Sequence, residues 1–250
     1  YYVTDEERMA LHRICEQFDD VTILLNIGSV MDMSWLREFG KKIGAVMIVW
    51  QGGMESGNAV ADLLCGKVSP SGKLTDTVAR RYDDYPSSAN FGNRDANVYE
   101  EDIYVGYRYF ETFNKEKVLY PFGFGLTYTS FKQEFVSAEI NNDEVTLQVK
   151  VINTGNFKCK EIVEVYVNAP QGKLGKAEKV LVGFNKTKEL APDESETVTV
   201  TFPLYFCASF DDSGKTGNKS CYVLEEGVYN IFVGDNVRDA VNVWNFTVEK

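Results

Sequence analysis

Histidine is almost missing from this 250-residue chain, with His12 the only one. A zinc site or a serine–histidine–aspartate triad would have to use it, and no cysteine stands beside it at ligand spacing. Its place on an apolar-patterned helix next to Leu11 reads as surface or packing. Cysteine occurs five times, at 15, 65, 159, 207 and 221, without a Cys-x-x-Cys pair. That scatter reads as reduced thiols rather than a disulfide framework and gives a cytoplasmic expectation. Basic clusters are also missing. Lys and Arg number 26 against 37 Asp and Glu, for a net charge of -11, and the longest Lys-rich run, Lys173 to Lys179, is broken by Glu178. A nucleic-acid partner is therefore not expected. The longest apolar run, Val46 to Trp50 with its flanks, falls well short of the roughly 20 residues of a membrane span. Neither Gly-x-Gly-x-x-Gly nor a Walker loop occurs, so no cofactor and no metal is expected. The chain opens at Tyr1 with no initiator Met and no leader, and it reads as a piece of a longer protein. Without a leader, the sequons at Asn185, Asn218 and Asn245 read as chance matches.

What remains is a well-supplied globular composition, with 44% hydrophobic, 13% aromatic and 25% charged residues, long enough for one large domain or two ordinary ones. Thr4 and Glu7 form a capping box, followed by Leu11, Ile14, Cys15 and Phe18 at helical spacing. Val21 to Leu25 and Ala45 to Trp50 read as parallel strands buried on both faces. Ser34 to Lys42 suits a short helix, and Glu55 to Cys65 a second one ending at Gly66. This rhythm predicts an α/β, doubly wound parallel sheet. Residues 70–130, rich in Pro, Gly, Tyr and Asp, lose helical periodicity and read as a long aromatic loop. From Phe131 onward strict alternation (Val145, Leu147, Val149, Val151) predicts roughly seven short strands of an immunoglobulin or fibronectin III-like β-sandwich. The expected division is 1–130 and 131–250, with Tyr120 to Leu126 buried between the two parts.

The segment Trp50-Gln51-Gly52-Gly53-Met54-Glu55-Ser56-Gly57 leaves the carboxyl end of a buried strand and enters a helix, where ligands bind in open parallel sheets. It also fits a plain strand–helix turn in which the Glu55 carboxylate caps the helix N-terminus and accepts hydrogen bonds from backbone amides. Glu100-Glu101-Asp102 brings carboxylates together in the aromatic loop. Paired carboxylates can cleave a glycosidic bond, but adjacent side chains diverge, and acidic runs are mostly solvated. Arg108, amid tyrosines, fits either a bidentate donor to a sugar or carboxylate or a guanidinium stacked on Tyr107 or Tyr109.

Trp50 to Leu64 resembles the Trp-x-Pro-Gly-Gln-Glu-Gly-Gly-x-Ala-x-Ala-Asp-x-Leu signature of glycoside hydrolase family 3. It departs from that signature at Gly52, Met54 and Ser56, where Pro, Gln and Gly are usual. Gly66 to Leu74 is similar to the family's Gly-x-x-x-Pro-Ser-Gly-Lys-Leu. Glu101 to Phe110 and Tyr120 to Tyr128 resemble two later landmarks, and Leu190 to Ser195 fits the appended fibronectin-like domain. The likeness runs in order over essentially the whole chain. It implies retaining, exo-acting hydrolysis of terminal β-linked sugars, most often β-glucosides, with an Asp nucleophile on a (β/α)8 barrel and an acid/base Glu upstream of Tyr1. Neither catalytic carboxylate maps onto this chain, and Glu6 and Glu7 belong to the helix cap. The expected substrate-binding residues are Trp50, Gln51, Glu55 and Arg108. The expected partners are an oligosaccharide or aryl or alkyl β-glycoside and the barrel domain of the same protein, with self-association left open. Segment 86–92 is most similar to bacterial members whose barrel follows the sandwich. The competing reading is a non-catalytic carbohydrate-binding or scaffolding module.

Overall fold

A computed structural model describes residues 1–249. The first helix, α1 (Asp5–Gln17), starts on the predicted capping box: the Glu7 amide donates to Thr4 Oγ1 at 3.2 Å and the Thr4 amide to Glu7 Oε2 at 2.9 Å. Strand β1 (Val21–Leu25), the short helix α2 (Leu36–Phe39), strand β2 (Ile43–Ile48) and helix α3 (Ser56–Leu64) follow. The two strands pair in parallel with Ile23 opposite Val46. Cys15, Trp35 and Phe39 are buried against Leu11, Val21, Ile23 and Leu25. Two expectations are corrected here. β1 is not buried on both faces: Thr22 and Leu24 point outward, because one neighbour strand and one packed layer cover a single face among the described residues. β2 stops at Ile48, and Trp50 sits beyond it with a left-handed φ of 52°.

The stretch read as a loop holds regular structure as well. Strands β3 (Val78–Ala79) and β4 (Val118–Tyr120) pair antiparallel, and helix α4 (Tyr107–Phe113) lies between them in sequence. Ala79, Phe110 and Val118 form their shared core. α4 escaped the periodicity test because its sequence, Tyr-Arg-Tyr-Phe-Glu-Thr-Phe, has no clean polar face, and its buried residues are Phe110 and Glu111. Helical amphipathicity needs contrast between faces.

The sandwich comprises a three-stranded sheet of β5 (Phe131–Asn141), β6 (Glu144–Asn153) and β9 (Ser195–Pro203). It packs on a four-stranded sheet in the order β13 (Val241–Val248), β12 (Gly227–Gly234), β7 (Ile162–Asn168), β8 (Val180–Lys186). The turn from β5 to β6 uses Asn142 and Asp143, both at positive φ, as a two-residue hairpin requires. Val145, Leu147, Val149 and Val151 are fully buried, facing Val163, Val165 and Ile231 in one core. β7 is buried on its other face too. There Tyr166 meets Tyr107 and Phe122, which arrive from the N-terminal region. A small hairpin, β10 (Ser209–Asp211) and β11 (Cys221–Val223), is inserted between β9 and β12.

Residues 120–126 lie in this junction. The Val237 amide donates to the Phe122 carbonyl at 3.1 Å. A Cβ on Gly123 would stand 2.5 Å from Glu164 Oε2 and 2.6 Å from the Asn236 Cα, so only glycine fits. Leu126, at the end of the segment, departs from the expected burial and is 75% exposed. None of the described helices is long and apolar enough to cross a membrane.

Candidate functional site

Parallel pairing sets the site. It brings the carboxyl ends of β1 and β2 to the same edge, and the Val49 amide extends the ladder to the Leu25 carbonyl at 2.9 Å. The chain then turns at Trp50, half-buried over a small cavity of about 10 Å³ lined by Met31, Met33, Leu74 and Asp76 among others. Gln51 folds back over the loop that follows β1: a Cβ on Gly28 would come within 2.9 Å of its Nε2. Gly52 and Gly53 then lead into α3 through Met54 and Glu55, whose side chains stand in solvent.

Glu55 occupies the residue before α3, but its carboxylate caps no backbone amide. It accepts instead from Asn58 Nδ2 at 2.5 Å. The expected capping role is therefore corrected: with φ −93° and ψ 10°, Glu55 lacks the extended backbone of a side-chain cap. At Gly52 a Cβ would lie 2.3 Å from the Ser56 Cβ. Two of the three departures from the family signature thus meet in space, a smaller residue at 52 making room for a larger one at 56.

Arg108 is the second residue of α4 and half-buried. Among the described residues its guanidinium makes no hydrogen bond or ion pair, and the one cation–π contact is Lys179 over Phe232 at 4.9 Å. The stacked alternative on Tyr107 or Tyr109 is therefore not adopted. In the acidic triplet, Glu101 accepts from Ser87 Oγ at 3.5 Å, Glu100 from Asn90 Nδ2 at 3.4 Å, and Asp102 is exposed. The triplet tethers its own loop and does not converge on a point. His12 is exposed, with its ring 4.7 Å from Phe39 and Nε2 3.9 Å from Glu38. The described residues contain no His, Cys, Asp and Glu grouping able to hold a metal. A shallow depression of about 420 Å³ lies at the β5–β6 hairpin among Glu139, Asp143 and Glu144 and shares no residue with the strand-end loop.

Sequence reasoning missed a charged junction. Lys73, almost fully buried, sits 3.3 Å from Glu161, 3.5 Å from Asp235 and 3.2 Å from the Gly125 carbonyl. Nearby, the Tyr166 hydroxyl donates to Glu164. Burial pushes Glu164 up to about 7, outweighing Tyr166 and Lys73, with Asp235 and Glu161 adding to the rise. The available signal was the lysine itself, a charged residue fixed within Pro70-Ser71-Gly72-Lys73-Leu74.

The Glycosyl hydrolase family 3 C-terminal domain profile matches residues 1–128, and the Fibronectin type III-like domain profile matches residues 161–237. The chain belongs to glycosyl hydrolase family 3, as that family's C-terminal α/β domain joined to a fibronectin III-like sandwich. The beta-glucosidase of Ruminococcus albus is 48% identical over 100% of this chain and 26% of that protein. Beta-glucosidase A of Butyrivibrio fibrisolvens is 45% identical over 96% of this chain and 31% of its own length. Among solved structures, a beta-glucosidase from Paenibacillus barengoltzii superposes with a TM-score of 0.94 at 48% identity, over 99% of this chain and 29% of that one. Beta-glucosidase 3B from Thermotoga neapolitana, solved with glucose, gives 0.87 at 37% identity, over 100% of this chain and 34% of that one. The chain thus spans about a quarter to a third of the length of these relatives.

Proposed function

We propose that this chain is part of a retaining, exo-acting β-glucosidase, in which it forms one wall of the sugar pocket and braces the (β/α)8 barrel. The observation that carries the reading is the loop from Trp50 to Glu55 at the carboxyl edge of β1 and β2, which presents the half-buried Trp50 and the exposed Gln51 and Glu55. An indole offers a flat apolar face to a sugar ring, and the amide and carboxylate offer hydrogen bonds to its hydroxyls. Arg108 is a further free donor for that ligand. Both catalytic carboxylates lie on parts outside this chain, so the chain alone does not turn over substrate. Glu55 acts in positioning, its carboxylate anchored by Asn58 Nδ2 at 2.5 Å at the start of α3.

The test is steady-state kinetics on an aryl β-glucoside. The 250-residue chain is expected to be inert. In the full-length enzyme Trp50→Ala is expected to raise KM several-fold, and Glu55→Gln to leave both limbs of the pH–rate profile in place. Turnover by the chain alone, lost on a single substitution within it, would overturn the reading. So would a Glu55→Gln enzyme that loses its basic limb and is rescued by azide.

A further inference from the structure

The insert between β9 and β12 puts four aromatic rings into solvent. In the 3₁₀ turn Leu204–Cys207, Leu204 and Cys207 stand three apart and pack on the sandwich core. Tyr205 and Phe206 between them therefore turn outward, and they are 51% and 52% exposed. In the hairpin, Phe210 pairs with Tyr222 and Asp211 with Cys221. Alternation places Phe210 and Tyr222 on the outer face, 50% and 53% exposed, and sends Asp211 inward, where it is fully buried. The Tyr222 ring lies 4.7 Å from Tyr205 and 5.1 Å from Phe210, and Tyr205 lies 6.4 Å from Phe206. The four rings make one continuous patch.

The patch stands on a braced loop. The Asp211 carboxylate accepts from the amides of Ser213, Gly214, Lys215 and Thr216 and from Thr216 Oγ1. The Ser220 amide closes the loop onto the Asp211 carbonyl at 2.6 Å. Four half-exposed rings offer about 400 Å² of apolar surface, within the range of the largest patches on monomers, which are often functional. That is half of the roughly 800 Å² per partner of a stable protein interface, so a second copy is not held by this patch alone. It does match a few pyranose rings. The axial C–H face of a β-linked glucose suits stacking on an aromatic ring, and phenols such as those of Tyr205 and Tyr222 are the kind of group that hydrogen-bonds its equatorial hydroxyls.

We propose that Tyr205, Phe206, Phe210 and Tyr222 form a glycan-binding surface that takes a β-linked gluco-oligosaccharide. The choice of a sugar as occupant rests on the β-glucosidase reading above. The test measures binding and not turnover, so the two readings fail separately. Cellohexaose is titrated calorimetrically into the 250-residue chain, with circular dichroism confirming that each variant is folded. Binding is expected, with Tyr222→Ala and Phe210→Ala each weakening it by about tenfold. Phe184→Ala, which removes an exposed ring outside the cluster, is expected to leave it unchanged. No binding by the folded chain, or equal affinity in the Tyr222→Ala and Phe210→Ala variants, overturns the proposal. A dimer in sedimentation equilibrium that Tyr222→Ala dissociates also overturns it, since the patch would then belong to a second copy.

Discussion

The contact between Gly52 and Ser56 shows how far a single position can be read alone. Each residue departs from the family signature, and from sequence each departure stands as a separate irregularity. In space they are one fact, because a Cβ at 52 and the Ser56 Cβ would be 2.3 Å apart. Backbone-borne Cβ atoms cannot approach that closely, and at the first turn of α3 neither has a flexible tail to swing away. Gly52→Ala alone should therefore shift the loop and cost about 1–3 kcal/mol, the range for overpacking. The same change in a Ser56→Gly background should cost nearly nothing. A double-mutant cycle from urea denaturation measures the coupling. Additive effects would mean that the loop relaxes freely and that the two positions are independent.

At the scale of elements, legibility followed contrast. α1, with its capping box and polar outer face, was plain in the sequence, and so was the alternation of β6. The existence of β1 and β2 was legible, but their burial was not, because an apolar run says what a strand can bury and not how many layers cover it. α4 was illegible for a deeper reason. Its buried Glu111 is satisfied by a residue 127 positions away: Arg238 donates through Nε at 3.0 Å and Nη2 at 2.6 Å. No local window contains that pair. At the site, a strand–turn–helix passage near 50–55 was legible, but its bounds were not, since β2 ends at Ile48 and α3 starts at Ser56, and the partner of Glu55 turned on a backbone angle that composition does not encode. The Glu111–Arg238 pair gives the next prediction. Arg238→Ala leaves a carboxylate 2% exposed without its cation and should destabilise the chain by about 2–3 kcal/mol, discounted for the partly exposed arginine. Glu111→Gln with Arg238 intact should cost less, since the amide oxygen still accepts. Urea midpoints give both values, and equal losses would show that Arg238 acts through packing alone.

The whole molecule is two folds locked through a polar junction, and that junction carries a pH signature. The Leu74 amide donates to the Phe124 carbonyl and the Gly123 amide to the Leu74 carbonyl, each at 2.8 Å. The paired segments then press on β7 and the β12–β13 turn, where Lys73, Glu161, Glu164, Tyr166 and Asp235 face one another. Burial raises Glu161 and takes Glu164 up to about 7 from the ordinary 4.5. In this window the folded chain holds protons that the unfolded chain has released, so the derivative of unfolding free energy with pH is negative. The stabilisation from protonated Glu164 is complete below the ordinary carboxylate range and is lost as pH rises through about 7. Asp211 works in the opposite sense. Burial raises it, but the Thr216 amide and hydroxyl with the Gly214 and Lys215 amides outweigh that and hold it well below its usual range. Its contribution is present at neutral pH and fails only in strong acid. Between about pH 5 and pH 8 the junction should therefore dominate, and the urea midpoint of the chain should fall across that interval. Glu164→Gln, which keeps the shape and cannot ionise, should flatten the fall while leaving acid unfolding in place. Asp211→Asn should do the reverse. A Glu164→Gln chain with an undiminished slope would move the titration to another group and leave the Lys73 cluster with a purely structural role.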